Sequence, residues 1–195
     1  VTASVASTMI SQGSGLGRGL LCTLLLVIGA LSSWFGEHVA HVTSILPIVF
    51  ASLFVPELEA SAVWSLRSKQ EHAGAVAVMK LAANAPAGVV SAAACQPAGL
   101  FTALHDAASR PANALSGLSA RSSALLYVAA ADIAAHLAST TPPPHADVCE
   151  LLLNPPLASL ARATQGNGDV IVDAARASRQ LAVILPRLSS GLQAD

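Results

Sequence analysis

The chain has 195 residues, of which 53% are hydrophobic and only 11% charged, with a formal net charge of −1 at neutral pH. That length suffices for one domain with a buried core or for several units of a repeat array. Scattered Lys and Arg form no basic stripe and aromatics are 4%, which speaks against nucleic-acid binding, where phosphates and bases demand both.

Residues 1–14 are rich in Ser, Thr and Gly and read as a flexible lead-in. They lack the arginines of a transit peptide and the charged start of a signal peptide. The first residue is Val1 rather than Met, as in a processed chain or a segment of a longer one. Gly13, Gly15, Gly17 and Gly19 then precede an apolar run. Their spacing matches neither G-x-G-x-x-G nor G-x-x-x-x-G-K-[ST], so they read as a flexible helix entry, not a phosphate loop. Residues 19–33 (GLLCTLLLVIGALSS) predict a helix that is apolar nearly all round, the pattern of a helix covered on several sides. Glu37, His38 and His41 follow as E-H-x-x-H. Two His three apart share a helix face, but zinc takes three or four ligands and no third can be nominated. We expect no metal there, only polar residues of a loop or short connecting helix.

A medium apolar helix is predicted over 46–54. Pro56 opens another over 57–69, with Glu57 and Glu59 in the first turn and Arg67 and Lys69 in the last, as the macrodipole favours. Trp64 falls inside it, a core or neighbouring-helix contact first and a partner-binding residue second. Residues 73–83, 98–109 and 118–138 read as helices separated by Pro86, Pro97, Pro111 and Gly117. Asp132 and His136, four apart, and the adjacent His105-Asp106 are expected as local surface pairs. The Thr141-Pro142-Pro143-Pro144 run breaks the chain, because consecutive prolines remove donors and fix φ.

Residues 146–153 (ADVCELLL) predict a short helix, with His145, Asp147 and Cys149 alternating at its start. A Cys–His nucleophile needs an orienting third group, which Asp147 does not supply; it reads as a partner for the helix N-terminus. Asn154-Pro155-Pro156 predicts a break and a new helix over 155–164, with Asn154 as N-cap. Gly166-Asn167-Gly168 ends that helix and Asp169 caps the next, 170–185, which Pro186 stops. Along 170–185, Ile171, Ala174, Ser178, Leu181 and Leu185 recur at helical spacing.

PELEASAVWSLRS and GDVIVDAARASRQLAVIL resemble the third helices of armadillo repeats, and PPLASLARATQGNGD resembles a second helix with its loop. The asparagine ladder of peptide-binding armadillo proteins is absent. The resemblance implies an all-α fold: an irregular right-handed stack of short helices, armadillo/HEAT-like, filling residues 15–195 as one domain with the Pro-rich break at 141–144. It implies a non-enzymatic protein–protein interaction scaffold, a segment or subunit of a larger assembly. The alternative is a membrane-embedded structural subunit anchored by a helical hairpin at about 19–35 and 39–55, since 19–36 and 38–56 contain no Asp, Glu, Lys or Arg. Against it, His41, Thr43, Ser44 and Pro47 interrupt the second run, which suits a buried core helix better.

On the scaffold reading the partners are other protein subunits, with no small-molecule substrate, no nucleic acid and no cofactor. Trp34, Phe35, Phe50 and Phe54 are the expected anchors on the 19–35 and 44–55 helices, with Trp64 beside them. No enzyme activity is expected, because each candidate constellation lacks a partner at workable spacing. Cys22, Cys95 and Cys149 form no C-x-x-C pair and no N-x-[ST] sequon occurs. Both point to an intracellular reducing compartment rather than secretion.

Overall fold

A computed structural model describes residues 15–53, 64–97, 99–102, 104, 120–140, 146–165 and 170–192, and among these every regular element is an α-helix. In chain order they are α1 (Gly15–Ala30), α2 (Ser32–Glu37), α3 (Val39–Leu53), α4 (Trp64–Asn84), α5 (Ala87–Ala94), α6 (Ala120–Thr140), α7 (Ala146–Thr164) and α8 (Val170–Leu192). The all-α class is as the sequence predicts. The lead-in over 1–14, Glu57 and Glu59, the His105-Asp106 pair, the proline run at 142–144 and the Gly166–Gly168 stop lie outside the described residues.

The helices are ordered as a row of neighbours. α1 packs along α4, α4 along α6, and α6 along α8. Beside that row, α2 and α3 lie on α4, α5 bridges α3 and α6, and α7 packs on α8 and α6. α4 is the inner member: Gln70, Glu71, Ala73, Ala75, Ala77, Val78 and Leu81 are all buried, so it is covered on several sides. Its alanines make this possible, since a side chain of one methyl lets neighbouring backbones approach closely. Gly74 does the same against α3, where a Cβ would stand 2.9 Å from Leu53 Cδ2. The core continues from Leu21, Leu25 and Ile28 of α1 through Val49 and Phe50 of α3 to Leu126 and Tyr127 of α6.

Few polar groups enter this core, and several tie one helix to the next. Gln70 Nε2 donates to the Ser52 carbonyl (3.1 Å), which pins α4 to α3. His72 Nδ1 and Ser122 Oγ meet at 3.2 Å between α4 and α6, and Gln180 Nε2 donates to Ser123 Oγ at 2.9 Å between α8 and α6. Buried polar atoms must find such partners, so these bonds fix which turn of one helix faces which turn of the next.

Several predicted boundaries are overturned. The first helix begins at Gly15, so Gly15, Gly17 and Gly19 are helical rather than a flexible entry. The predicted 46–54 helix starts earlier, at Val39, and runs through Pro47. The predicted stop at Lys69 is absent: residues 64–69 and 73–83 share one helix, α4, and Gln70 and Glu71 in the supposed gap are buried like Ala73 after it. Asn154-Pro155-Pro156 neither breaks nor caps a helix, and α7 passes straight through both prolines. Asn154 Nδ2 instead donates to Glu150 Oε1 at 3.3 Å. Pro186 likewise fails to stop α8. A proline inside a helix deletes one ladder bond and crowds the preceding turn, which costs about 3 kcal/mol. Both helices keep a buried face through their prolines: Leu152 and Pro156 in α7, and Ile184 and Leu188 in α8, are buried pairs four apart.

Candidate docking surface

α1 and α2 together carry two parallel, largely apolar strips. Leu21, Leu25, Ile28, Ser32 and Phe35, spaced four, three, four and three, are buried. Leu20, Leu24, Val27, Leu31 and Trp34 repeat that spacing one residue earlier and are exposed, each 40–51%. A shift of one residue turns the face by about 100°, so the second strip runs beside the first, on the flank that α4 does not cover. The helical ladder continues from α1 into α2: Leu31 N–H donates to Val27 O (2.9 Å) and Phe35 N–H to Leu31 O (3.0 Å). The strip therefore lies on one nearly unbroken rod. Leu26 and Val39 are exposed near it, whereas in the rest of the described residues the exposed large apolar side chains are Leu157, Ile171, Val172 and Leu185.

The strip ends in an aromatic stack. The Trp34 indole lies over the His38 imidazole, centroids 4.0 Å apart and 13° from parallel, with His41 at 5.6 Å. In the tautomer that protonates Nδ1, His38 donates to the Trp34 carbonyl at 2.9 Å. The His38 and His41 rings are 6.4 Å apart. The two histidines of E-H-x-x-H are thus drawn into a surface stack with Trp34, and among the described residues no three His, Cys, Asp or Glu gather where they could hold a metal.

The other expected anchors fall elsewhere. Phe35 (6% exposed) and Phe50 (1%) are turned into the chain's own core. Phe54 lies outside the described residues; Trp64 opens α4, and its side chain is also outside them. Trp34 is the anchor candidate with a described, exposed ring. The leucines and valine of the exposed strip were not singled out among the anchors, although the doubled four-three spacing was there to be read.

A groove of about 350 Å³ between α3 and α5 is lined by Thr43, Pro47, Phe50, Gly88, Val89, Ala92, Ala93 and Gln96. Having no N–H, Pro47 leaves the Thr43 carbonyl without its helical donor. The groove lining has no ionisable group, so it offers no acid–base chemistry. Elsewhere, Asp132 Oδ1 accepts from Arg187 Nε at 2.8 Å across α6 and α8. Desolvation by burial pushes the Cys149 thiol above its ordinary range, away from the thiolate a nucleophile requires. Burial also pushes Tyr127 up to about 12.

The chain matches no protein-family model, no curated protein and no solved structure. No helix among the described residues is long and apolar enough to cross a membrane.

Proposed function

We propose that this chain is a non-enzymatic interaction scaffold, an armadillo/HEAT-like helical-repeat segment or subunit whose partners are other protein subunits. The observation that carries this reading is the exposed, charge-free strip Leu20–Leu24–Val27–Leu31–Trp34 on the helix at one end of the row. In a stacked array each helix layer is covered by its neighbours, and a terminal layer stays soluble by presenting a polar outer face. α1 presents leucines instead, and a contiguous apolar patch of this kind marks an interaction site. The neighbour-to-neighbour order α1–α4–α6–α8 supports the repeat reading. The three free cysteines fit an intracellular reducing compartment.

The alternative, a membrane hairpin at 19–35 and 39–55, meets a physical objection. α1 lies along α4, which carries Lys69, Glu71, His72 and Lys80, and a bilayer span would have to leave that helix for lipid. A single-cysteine variant tests the docking reading: Leu24→Cys, with Cys22, Cys95 and Cys149 replaced by alanine. In native extract a small thiol reagent should modify this site at least about tenfold more slowly than in the purified chain at high dilution. Equal rates would remove the docking reading. Retention in the pellet after alkaline carbonate would instead favour the hairpin.

A further inference from the structure

We infer that the occupant of the α1 strip is a second copy of this chain, joined two-fold and antiparallel through Leu20, Leu24, Val27, Leu31 and Trp34. The inference rests on the docking reading above and names its partner.

Spacing comes first. A four-three repeat of apolar residues is the seam of a helix pair crossing at roughly 20°, where each side chain enters a hole on the facing helix. The buried strip already meets α4 through the same spacing, so the exposed strip is prepared for a second helix of similar character. A bilayer surface is a poorer match, because interfacial helices flank their apolar face with Lys and Arg, and residues 19–36 contain neither.

Self-complementarity comes second. A two-fold interface places the same surface on both sides, so any charge on it meets its own sign. The strip has none. Two copies can meet there without like-charge repulsion.

Area comes third. With the strip residues 40–51% exposed, and Thr23 and Ala30 at its margin, a seam would cover on the order of 500 Å² per copy. That is roughly 1,000 Å² in all, the least that a specific interface needs. A dimer held by this seam alone should be reversible, with a dissociation constant in the micromolar range, about −8 kcal/mol.

Direction follows from the two ends. The antiparallel arrangement opposes the helix dipoles and separates the two copies of Glu37, His38 and His41, which a parallel pair would bring together. It also sets the bulky Trp34 against Leu20 of the other copy, next to Gly19, where the chain leaves open space. Val27 then sits at the two-fold axis facing its own counterpart, and Leu24 faces Leu31.

Sedimentation velocity on the purified full chain, from about 1 to 100 µM, should show a monomer–dimer equilibrium. Leu24→Glu with Val27→Glu should weaken it at least about 100-fold, because each buried carboxylate appears twice in the seam. Ile171→Glu, at a position 81% exposed on α8, should leave it unchanged, and far-UV circular dichroism should show all variants equally helical. A short thiol cross-linker on the triple-alanine background should join Val27→Cys to itself. It should join Leu20→Cys to Trp34→Cys only when the two proteins are mixed. A monomer throughout this range overturns the inference. If Leu24→Cys is nevertheless protected in native extract, the docking reading stands with another protein as occupant. If it is reactive there too, both fall. Flotation of the chain with phosphatidylcholine–phosphatidylserine vesicles, lost in the Leu24→Glu, Val27→Glu variant, would overturn both in favour of a lipid surface.

Discussion

Gly36→Ala and Gly88→Ala make the same chemical change in two helices, and we expect them to move stability in opposite directions. A Cβ at Gly88, in α5, meets nothing within 4 Å, so alanine there brings only its helical preference and a less flexible unfolded chain. The expected gain is about 0.5 kcal/mol. A Cβ at Gly36, in α2, overlaps the backbone carbonyl oxygen of Asn84 and stands 3.4 Å from the carbonyl carbon. Backbone cannot rotate away as a side chain can. Relief requires α2 to withdraw from the end of α4, which strains the Asn84 Nδ2 to Ser32 Oγ bond of 3.2 Å and loosens buried Phe35. Overpacking of this kind costs about 1–3 kcal/mol, more than the alanine preference returns. Gly74→Ala falls between, since its 2.9 Å neighbour is the rotatable end of Leu53. Urea unfolding followed at 222 nm, at equal slope, should rank the midpoints Gly88→Ala, then wild type, then Gly36→Ala. A Gly36→Ala midpoint at or above that of Gly88→Ala would refute the close approach of α2 to α4.

Tyr127 should make the protein alkali-sensitive. Its folded pKa is raised to about 12 by burial, against about 10 unfolded, so its contribution is full below pH 10 and is lost as pH rises through 12. The shift corresponds to about 2–3 kcal/mol, and urea midpoints from pH 8 to 12 should fall less steeply in Tyr127→Phe than in wild type. Pro186→Ala restores a ladder donor inside α8 and should stabilise by about 1–3 kcal/mol; a lower thermal midpoint would mean the ring's packing outweighs the missing bond. Gln180→Ala leaves buried Ser123 Oγ without the 2.9 Å donor that ties α8 to α6 and should cost about 1–3 kcal/mol, with Ser123→Ala in the same background recovering part of it.

Composition and local periodicity were enough to determine that this chain is helical. Alanine-rich segments with apolar residues three and four apart have one regular structure available that satisfies their backbone groups, whatever packs on them. The existence of α1, α6 and α8 was legible for that reason. Where helices end was less so: Pro155, Pro156 and Pro186 are strong local stops, and they were overruled by burial of Leu152 with Pro156 and Ile184 with Leu188, pairs that only an assembled neighbour creates. The surface was decided by the tertiary structure alone. Residues 20–35 hold two interleaved strips of equal spacing and similar apolarity, and nothing within the segment says which faces inward. The choice fell to α4, whose small side chains accept Leu21, Leu25 and Ile28. That choice buried Phe35 and left Trp34 outside, although the two aromatics are adjacent in the chain: one residue is about 100° of helix, and 100° separates core from solvent.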